Sequence, residues 1–306
     1  MNLTNNSLGL ERFILESQPH ILLVDGMALL FRSFFATAPM HQFFRKADGT
    51  PTNGVQGFAR HVLSAQALMQ PTHLAVCWDM GVHTFRNELF DGYKANRPAP
   101  PDELKPQFDM AKEVSEMIGW KNFGTVGMEA DDTIGTLIHK WKRDAKITVV
   151  SGDKDLLQLL NPSTTIALTK KGYTEYNVYT DHRFKEEYEI EPPLFADVKA
   201  FMGDTSDGYP GVKGIGPKTA LKLIQTYGSV DGVLGALDEL KPGQRTKIQE
   251  NEEMLKLSLQ LATINTEVPI NATIDDCELP IWNQAKLEKL TTEGYSLISR
   301  HARSLL

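Results

Sequence analysis

The sequence predicts an α/β protein in which a mostly parallel sheet is flanked by helices, with a helical region after it. Between residues 20 and 180, short apolar runs alternate with helix-length periodic segments. These runs are apolar almost throughout, as in parallel strands that are covered on both faces. After residue 180 the chain has no further run of this type, and its periodicity is helical. The 306 residues, of which 41% are hydrophobic, allow one main core and a smaller second unit.

The elements of the first part follow one another in a regular order. They are a strand at 21–25, a helix at about 53–69, a strand at 74–79, a helix at about 104–118, a weaker strand at about 121–126, a helix at about 130–142, a strand at 146–151, a short helix from 155 and a strand at 164–169. In the second part, Pro192 and Pro193 suit the first turn of a helix. Helical patterns then continue to the end of the chain, with breaks at Pro242, Pro269 and Pro280.

Composition narrows the class of protein. Cys77 and Cys277 are too few for a disulfide framework or a Cys-rich zinc site. No apolar run approaches membrane-spanning length and the polar start lacks a signal-peptide pattern, so we expect a cytoplasmic protein without a membrane partner. The net charge of −7 does not exclude a nucleic-acid partner, because a metal site concentrates carboxylates while basic surfaces remain elsewhere.

We divide the chain into an N-terminal tail (1–19), an α/β domain (20–180) and a helical region (181–306).

Acidic side chains follow the predicted strands or begin the predicted helices after them. They are Asp25, Asp79, Glu129, Asp131, Asp132, Asp153 and Asp155. Because the carboxyl ends of parallel strands share one edge of a sheet, we expect these acids to converge there. Such a cluster repels itself unless cations bind, and Mg²⁺ prefers oxygen ligands. The pattern predicts a divalent-metal site of the kind that hydrolyses phosphodiesters. Taken singly, each acid has an alternative explanation as a helix cap or as a charge favoured at a helix N-terminus.

A glycine-rich turn lies in the helical region, at 211–219. Pro217 stands where a nucleotide-binding P-loop requires lysine, and no buried strand precedes the turn, which excludes both a P-loop and a Rossmann turn. A helix–hairpin–helix turn remains, in which backbone N–H groups at a helix start bind a DNA phosphate without reading sequence. Its candidate DNA contacts are Lys213, Gly214, Ile215, Gly216, Lys218 and Thr219. A plain turn between packed helices is the alternative.

A segment rich in basic and aromatic residues separates the second predicted strand from the next helix. It contains Arg86, Tyr93, Lys94 and Arg97. Arginine and lysine bind phosphate oxygens, and a tyrosine can stack on an unpaired base, as in grooves for single-stranded nucleic acid. A solvated loop with scattered charges explains the same composition equally well.

With these residues assembled, the chain resembles the 5′–3′ exonuclease family, which includes the N-terminal nuclease domain of bacterial DNA polymerase I and bacteriophage flap endonucleases. The resemblance spans residues 20 to 270 approximately. It rests on five motifs in the right order, namely LLVDGMALLFRSFFA, TFRNELFDGYKANRP, EADD, SGDKDLLQLL and FMGDTSDGYPGVKGIGPKTA. The resemblance implies a PIN-like or resolvase-like nuclease core, an arch segment at about 80–103 and a helix–hairpin–helix motif at about 200–228. Because no polymerase part is present, we expect a stand-alone member.

The resemblance also implies roles for individual residues. Asp25, Asp79, Glu129 and Asp131 match the residues around a first metal ion, with Asp132 supporting them. A second ion is implied at Asp153, Asp155, Asp204 and Asp207. Lys94 matches a lysine that assists catalysis from the arch segment, with Arg86 and Arg97 as its basic neighbours. One departure is Gly208, which stands where many relatives have asparagine.

The function implied is a structure-specific 5′ nuclease that uses two Mg²⁺ or Mn²⁺ ions in replication or repair. The implied substrates are DNA with 5′ flaps, nicks or free 5′ ends, and RNA–DNA hybrids remain open. We expect a monomer associated with the nucleoid. Two alternatives are a DNA-binding protein without cleavage and a PIN-type ribonuclease, which shares an acidic α/β site.

Overall fold

A six-stranded sheet forms the centre of the protein. The structure, a computed structural model, describes residues 18–40, 43–81 and 83–305, so the predicted tail at 1–19 lies outside the described residues except for its last two. The strands are β1 His20–Asp25, β2 His73–Cys77, β3 Lys121–Phe123, β4 Lys146–Ser151, β5 Thr164–Lys171 and β6 Glu175–Tyr179. Their order is β3-β2-β1-β4-β5-β6; neighbours among β1 to β5 are parallel, and β6 is antiparallel to β5. The predicted mostly parallel sheet is confirmed.

The strand order places a crevice at one edge of the sheet. From β1, the chain builds β2 and β3 on one side and then crosses to build β4 and β5 on the other. Asp25 at the end of β1 is in register with Cys77 at the end of β2, and Val24 with Val150 in β4. The strands therefore end at one level. In open α/β sheets, ligands bind outside the carboxyl ends of the strands where the order reverses, here between β1 and β4.

Helices cover both faces of the sheet. The helices of the first part are α1 Gly26–Thr37, α2 Asn53–Met69, α3 Phe85–Leu89, α4 Lys105–Ile118 and α5 Ala130–Trp141. Because side chains alternate along a strand, Leu22 and Val24 pack with α1, α2 and α4, whereas Ile21 and Leu23 pack with α5 and with helices of the second part. The sequence did not predict α1, which follows β1 directly and is capped by Asp25.

The second part of the chain is helical, as predicted. Its helices are α6 Asp181–Tyr188, α7 Phe195–Met202, α8 Pro217–Tyr227, α9 Val230–Gly235, α10 Pro242–Glu250, α11 Glu252–Ala262, α12 Gln284–Thr292 and α13 Ser296–Leu305. Helix α7 packs against α8 and α11. Helices α12 and α13 return to the α/β part, where Leu290 and Ile298 join the core beside α2. Within the described ranges, no helix has both the length and the apolar character to cross a membrane.

Candidate metal centre

Four acids meet at the carboxyl edge of the sheet, and we call them the first acidic group: Asp25, Asp79, Glu129 and Asp131. Asp25 is the last residue of β1, and its Oδ2 accepts a hydrogen bond from Ser151 Oγ at the end of β4, at 2.6 Å. Asp79 follows β2, and its Oδ1 accepts from the N–H of Ala130 at the start of α5, at 2.7 Å. Glu129 and Asp131 lie at the N-terminus of α5. Strand ends and one helix start thus position the group.

The carboxylates of the first acidic group affect one another's pKa. Burial, reinforced by the charges of Asp79 and Asp153, raises the pKa of Asp25 to about 7, although hydrogen bonds from Ser151 and Ala28 oppose the shift. Burial and the charges of Asp153, Asp25 and Glu129 raise the pKa of Asp131 well above its usual range. Burial also raises the pKa of Asp79. The carboxylates lack enough compensating positive charge, which is the condition that bound cations relieve.

A second acidic group lies beside the first and consists of Asp153, Asp155, Asp204 and Asp207. Carboxylate oxygens of Asp155, Asp204 and Asp207 lie within 4.8 Å of one another, near enough to share one ion. Asp153 Oδ1 accepts a hydrogen bond from the N–H of Asp155 at 2.8 Å, which ties the loop after β4 to this group. The charge of Asp153 raises the pKa of both Asp131 and Asp155, so Asp153 interacts electrostatically with both groups.

Lys199 of α7 lies within the second acidic group, although its position in the sequence did not predict a site residue. Its Nζ is 2.7 Å from Asp155 Oδ1 and also contacts Asp204 Oδ2. The two carboxyl groups respond differently to the same ammonium. Burial and the charge of Asp153 raise the pKa of Asp155 to about 7. Burial also acts on Asp204, but hydrogen bonds from Lys199 and Ser206 outweigh it and lower the pKa to about 2. A lone lysine in the apolar helix FADVKAFM is the signal that could have revealed it.

Asp132 is placed differently from the expectation that it supports a metal ion. It is fully buried and forms a two-point ion pair with Arg86, at 2.8 and 2.9 Å. The same two oxygens also accept the N–H groups of Glu129 and Asn265. Four donors therefore occupy the four lone-pair positions of the carboxylate, which leaves none for an ion.

Arg86 is also placed differently from its expected role as a DNA contact. Its side chain is buried and donates to the carbonyl groups of Leu261 and Thr263 in addition to Asp132. The guanidinium therefore links α3 to α5 and to the end of α11, and it has no surface open to a phosphate. Breaking such a buried pair is strongly destabilising, because it leaves an uncompensated charge in the interior.

Three further residues of the arch segment contact the two acidic groups. Tyr93 is 3% exposed and its hydroxyl, a single donor, lies 3.1 Å from Glu129 Oε2 and 3.3 Å from Asp207 Oδ2, so its ring is not free to stack on a base as expected. Lys94 Nζ is 2.8 Å from Glu129 Oε1. The exposed Arg97 lies 2.6 Å from Asp207 Oδ1. The base of the arch segment thus bridges the first and second acidic groups.

Hydrogen bonds to backbone carbonyl groups hold the arch segment against the loop at 204–209. The N–H of Lys94 donates to the carbonyl of Asp207 at 2.7 Å, and Arg97 Nε donates to the carbonyl of Ser206. Gly208 permits this approach, because a Cβ at that position would lie 2.6 Å from the carbonyl oxygen of Gly92. Its φ of 81° is also one that glycine adopts readily. The close contact and the positive φ both favour glycine at this position.

The predicted helix–hairpin–helix turn connects α7 to α8. Lys213, Gly214, Gly216 and Lys218 are exposed, Thr219 is half-buried, and Ile215 is buried and anchors the turn. Gly216 caps α8 without a side-chain bond, so backbone N–H groups at the start of this helix have no side-chain acceptor from the cap. A residue that the sequence did not suggest also reaches the turn: Lys247 Nζ of α10 donates to the carbonyl of Gly214 at 3.3 Å.

The residues of the two acidic groups fit hard divalent cations. The donors are carboxylate oxygens, which Mg²⁺ and Mn²⁺ prefer. Among the described residues, nothing donates a hydrogen bond to the carboxylate of Asp131, although like charges surround it. The buried hydroxyl of Tyr209 has no hydrogen-bond partner, and its pKa is raised by burial and by the charges of Asp155, Asp204 and Asp207. A cation with bound water satisfies both kinds of group.

Two neighbouring groups of carboxylates at the edge of a parallel sheet define the class of protein, a metal-dependent nuclease. Residues 20–189 match the family model described as 5′-3′ exonuclease, N-terminal resolvase-like domain, and residues 190–285 match 5′-3′ exonuclease, C-terminal SAM fold. The chain belongs to the 5′-3′ exonuclease family, and the resemblance seen in the sequence is confirmed.

Three relatives give the extent of the similarity. A 5′-3′ exonuclease of Bacillus subtilis is 53% identical over 84% of this chain and 86% of that protein. DNA polymerase I of Lactococcus lactis subsp. lactis is 39% identical over 86% of this chain, which spans only 30% of the polymerase. A bacteriophage T5 flap endonuclease solved in a complex with DNA and metal ions is 21% identical and shares the fold, with a TM-score of 0.63 over 94% of this chain and 97% of that one.

Proposed function

We propose that this protein hydrolyses DNA phosphodiesters at 5′ ends and 5′ flaps with two Mg²⁺ or Mn²⁺ ions. The observation that carries the proposal is the convergence of two acidic groups from separate parts of the chain. The ends of β1, β2 and β4, the start of α5 and the loop at 204–207 all contribute carboxylates to one edge of the sheet.

We assign one ion to the first acidic group and the other to the second. Each group offers several carboxylates, and Mg²⁺ keeps part of its water shell when carboxylates bind it. Ions held by these carboxylates would supply Lewis-acid chemistry, which would activate water and offset the charge that develops on the scissile phosphate. The residues of the chain hold the ions in place and neutralise them, and neither Asp132 nor Arg86 belongs to this set because they pair with each other.

Lys94 is the residue we assign to direct contact with the scissile phosphate. Burial alone would lower its pKa, but Glu129 and Asp207 outweigh burial and raise it, so the ammonium stays protonated at neutral pH. Its Nζ already lies beside Glu129, a residue of the first acidic group. A fixed positive charge at this place stabilises negative charge that builds up in the transition state.

DNA binding in this proposal comes from the helix–hairpin–helix turn and from Arg97. Backbone N–H groups at the start of α8, together with Lys213 and Lys218, contact phosphates without reading sequence. Arg97 is exposed and lies beside the second acidic group, where it can contact the phosphates of the DNA strand that enters the site. The proposed substrates include nicked DNA and RNA–DNA hybrids. We further propose that the protein acts as a monomer in replication or repair and that it is associated with the nucleoid in the cytoplasm.

A matched panel of substrates tests the proposal. It contains 5′-labelled flap, nicked, gapped, linear and RNA-primed DNA together with a single-stranded RNA, each assayed with Mg²⁺ and with EDTA. We expect Mg²⁺-dependent products from the DNA flaps and 5′ ends. Binding without cleavage would support the DNA-binding alternative, and cleavage of the single-stranded RNA alone would support a PIN-type ribonuclease.

A further inference from the structure

The ammonium of Lys199 lies against two carboxylates of the second acidic group. Its side chain comes from α7 and is 8% exposed, so the charge is largely shielded from solvent. It contacts Asp155 at 2.7 Å and Asp204, two of the three acids whose oxygens lie within 4.8 Å of one another. The pKa of Lys199 is raised because these two carboxylates outweigh the effect of burial, so the group remains charged.

The remaining oxygens of this group are largely engaged by other donors of the chain. Asp204 Oδ1 accepts from the N–H and hydroxyl of Ser206, at 2.7 and 2.6 Å. The two oxygens of Asp207 accept from Arg97 and Tyr93. In the first acidic group, by contrast, the carboxylate of Asp131 receives no hydrogen bond from the described residues. The second group thus contains an ammonium in contact with two of its carboxylates, whereas no donor among the described residues reaches Asp131 in the first group.

We propose that Lys199 is an internal counter-ion of the second metal site, which a divalent cation must displace before it can bind there. The inference rests on the two-ion function proposed above. An ammonium that contacts both Asp155 and Asp204 takes up oxygens that a divalent ion bound by these acids would use, and the two cations repel each other at this separation. The free protein then binds its first ion readily and its second ion weakly.

Bound DNA changes the difference in affinity between the first and the second metal site. The displaced ammonium stays tethered to α7 beside the site, where its repulsion of the second ion is offset by a phosphate that carries negative charge. DNA therefore raises the affinity of the second site more in the native protein than in a variant without this charge. Lys199 is a positioning residue in this account, because it acts on the reaction through the metal site.

Binding of Mn²⁺ to the protein without DNA, followed by calorimetry and by the electron paramagnetic resonance of free Mn²⁺, tests the inference. Lys199→Met keeps the length of the side chain and removes its charge. We expect the variant to bind its second Mn²⁺ more tightly than the native protein by on the order of tenfold or more. Lys289→Met, on the surface of α12, removes the same charge elsewhere and should leave both affinities unchanged.

Further variants separate charge from packing. Lys199→Gln, which keeps a hydrogen-bonding group without charge, should tighten the second site as Lys199→Met does, and Lys199→Arg should keep it weak. An unchanged or weaker second site in both neutral variants would overturn the inference while leaving the two-ion proposal intact. Binding of a single Mn²⁺ by native protein and variants alike would overturn both. Circular dichroism and thermal unfolding check that each variant is folded.

Discussion

Lys94 lies where the arch segment meets the first acidic group, 2.8 Å from Glu129. A lysine at this place can stabilise the transition state or merely hold the DNA. The proposed role predicts that Lys94→Ala lowers the single-turnover rate on a flap substrate by about a hundredfold or more, with a much smaller loss of affinity. Affinity is measured with Ca²⁺ in place of Mg²⁺ at the same salt concentration.

Lys105→Ala is the matched control for this prediction. Lys105 forms an ion pair of similar length with Asp102, at 2.7 Å, but both residues are exposed and distant from the acidic groups in the chain. Its replacement should change neither rate nor affinity appreciably. If Lys94→Ala weakens binding while the cleavage rate stays native, Lys94 holds the DNA and our catalytic assignment is wrong.

At the level of single residues, the sequence predicted positions well and environments poorly. Asp25 and Asp79 could be located because a strand end fixes where a side chain emerges. Arg86 and Tyr93 were expected on a DNA-binding surface, yet both are buried. Their spacing within the arch segment does not reveal which side faces the interior. Lys199 was missed because its partner Asp155 lies far from it in the chain, and the pattern of α7 does not show that the lysine faces an acidic group.

The contact between the arch segment and the loop at 204–209 depends on one glycine. Gly208→Ala places a Cβ 2.6 Å from the carbonyl oxygen of Gly92, which is backbone and cannot move aside cheaply. We expect the arch segment to separate from the loop. Hydrogen exchange at the amide of Lys94, which donates to Asp207, should then accelerate by about tenfold or more.

Gly172→Ala provides the control for strain alone. Gly172 also has a positive φ, of 60°, but a Cβ there would meet nothing within 4 Å. Both variants therefore carry a backbone penalty of about 1 kcal/mol, and only one carries a steric clash. Equal protection of the Lys94 amide in the two variants would show that Gly208 does not control the contact.

The proposed contact between the helix–hairpin–helix turn and DNA phosphates predicts how DNA affinity depends on salt concentration. Replacing Lys213 and Lys218 together with alanine should weaken binding to duplexes of any sequence equally. The dependence of log affinity on log salt concentration should flatten by about one unit for each lysine that contacts a phosphate. Lys140→Ala combined with Lys289→Ala removes two exposed charges elsewhere and should preserve the slope. A loss restricted to particular sequences would contradict a contact with backbone phosphates alone.

At the level of elements, the sequence predicted the parallel strands because each is a short apolar run between helical patterns. It missed α1, which begins directly after β1 without the loop that usually separates two patterns. It also left β6 unassigned, since this edge strand is half-exposed and carries polar side chains. The return of α12 and α13 to the sheet could not be predicted, because an amphipathic pattern does not identify its packing partner.

For the whole molecule, the acidic groups predict an unusual dependence of stability on pH. Asp25 and Asp155 have a pKa of about 7 in the folded protein, well above the value of about 4 for an unfolded chain. Between these values the folded state binds more protons than the unfolded state. The free energy of unfolding of the metal-free protein should therefore fall by about a few kcal/mol as pH rises from 4 to 7.

Urea unfolding in EDTA at pH 5 and pH 8 measures this effect. Mg²⁺ should restore stability at pH 8, where the carboxylates are ionised, and have little effect at pH 5. Asp25→Asn retains an oxygen that can cap α1 and should show a flatter pH dependence. Constant or rising stability between pH 5 and pH 8 in EDTA would contradict the close packing of uncompensated acids.

The proposal that two ions act at one sheet edge is tested most directly by single-turnover cleavage of a 5′-flap DNA with Asp155→Asn. The change removes one charged ligand of the second acidic group and keeps the shape of the side chain. We predict that the rate in Mg²⁺ falls by at least about a hundredfold while DNA affinity is retained, since the lost stabilisation belongs to the transition state. Asp144→Asn, at an exposed acid after α5, should cleave at the native rate. Cleavage by Asp155→Asn at the native rate would contradict the two-ion account.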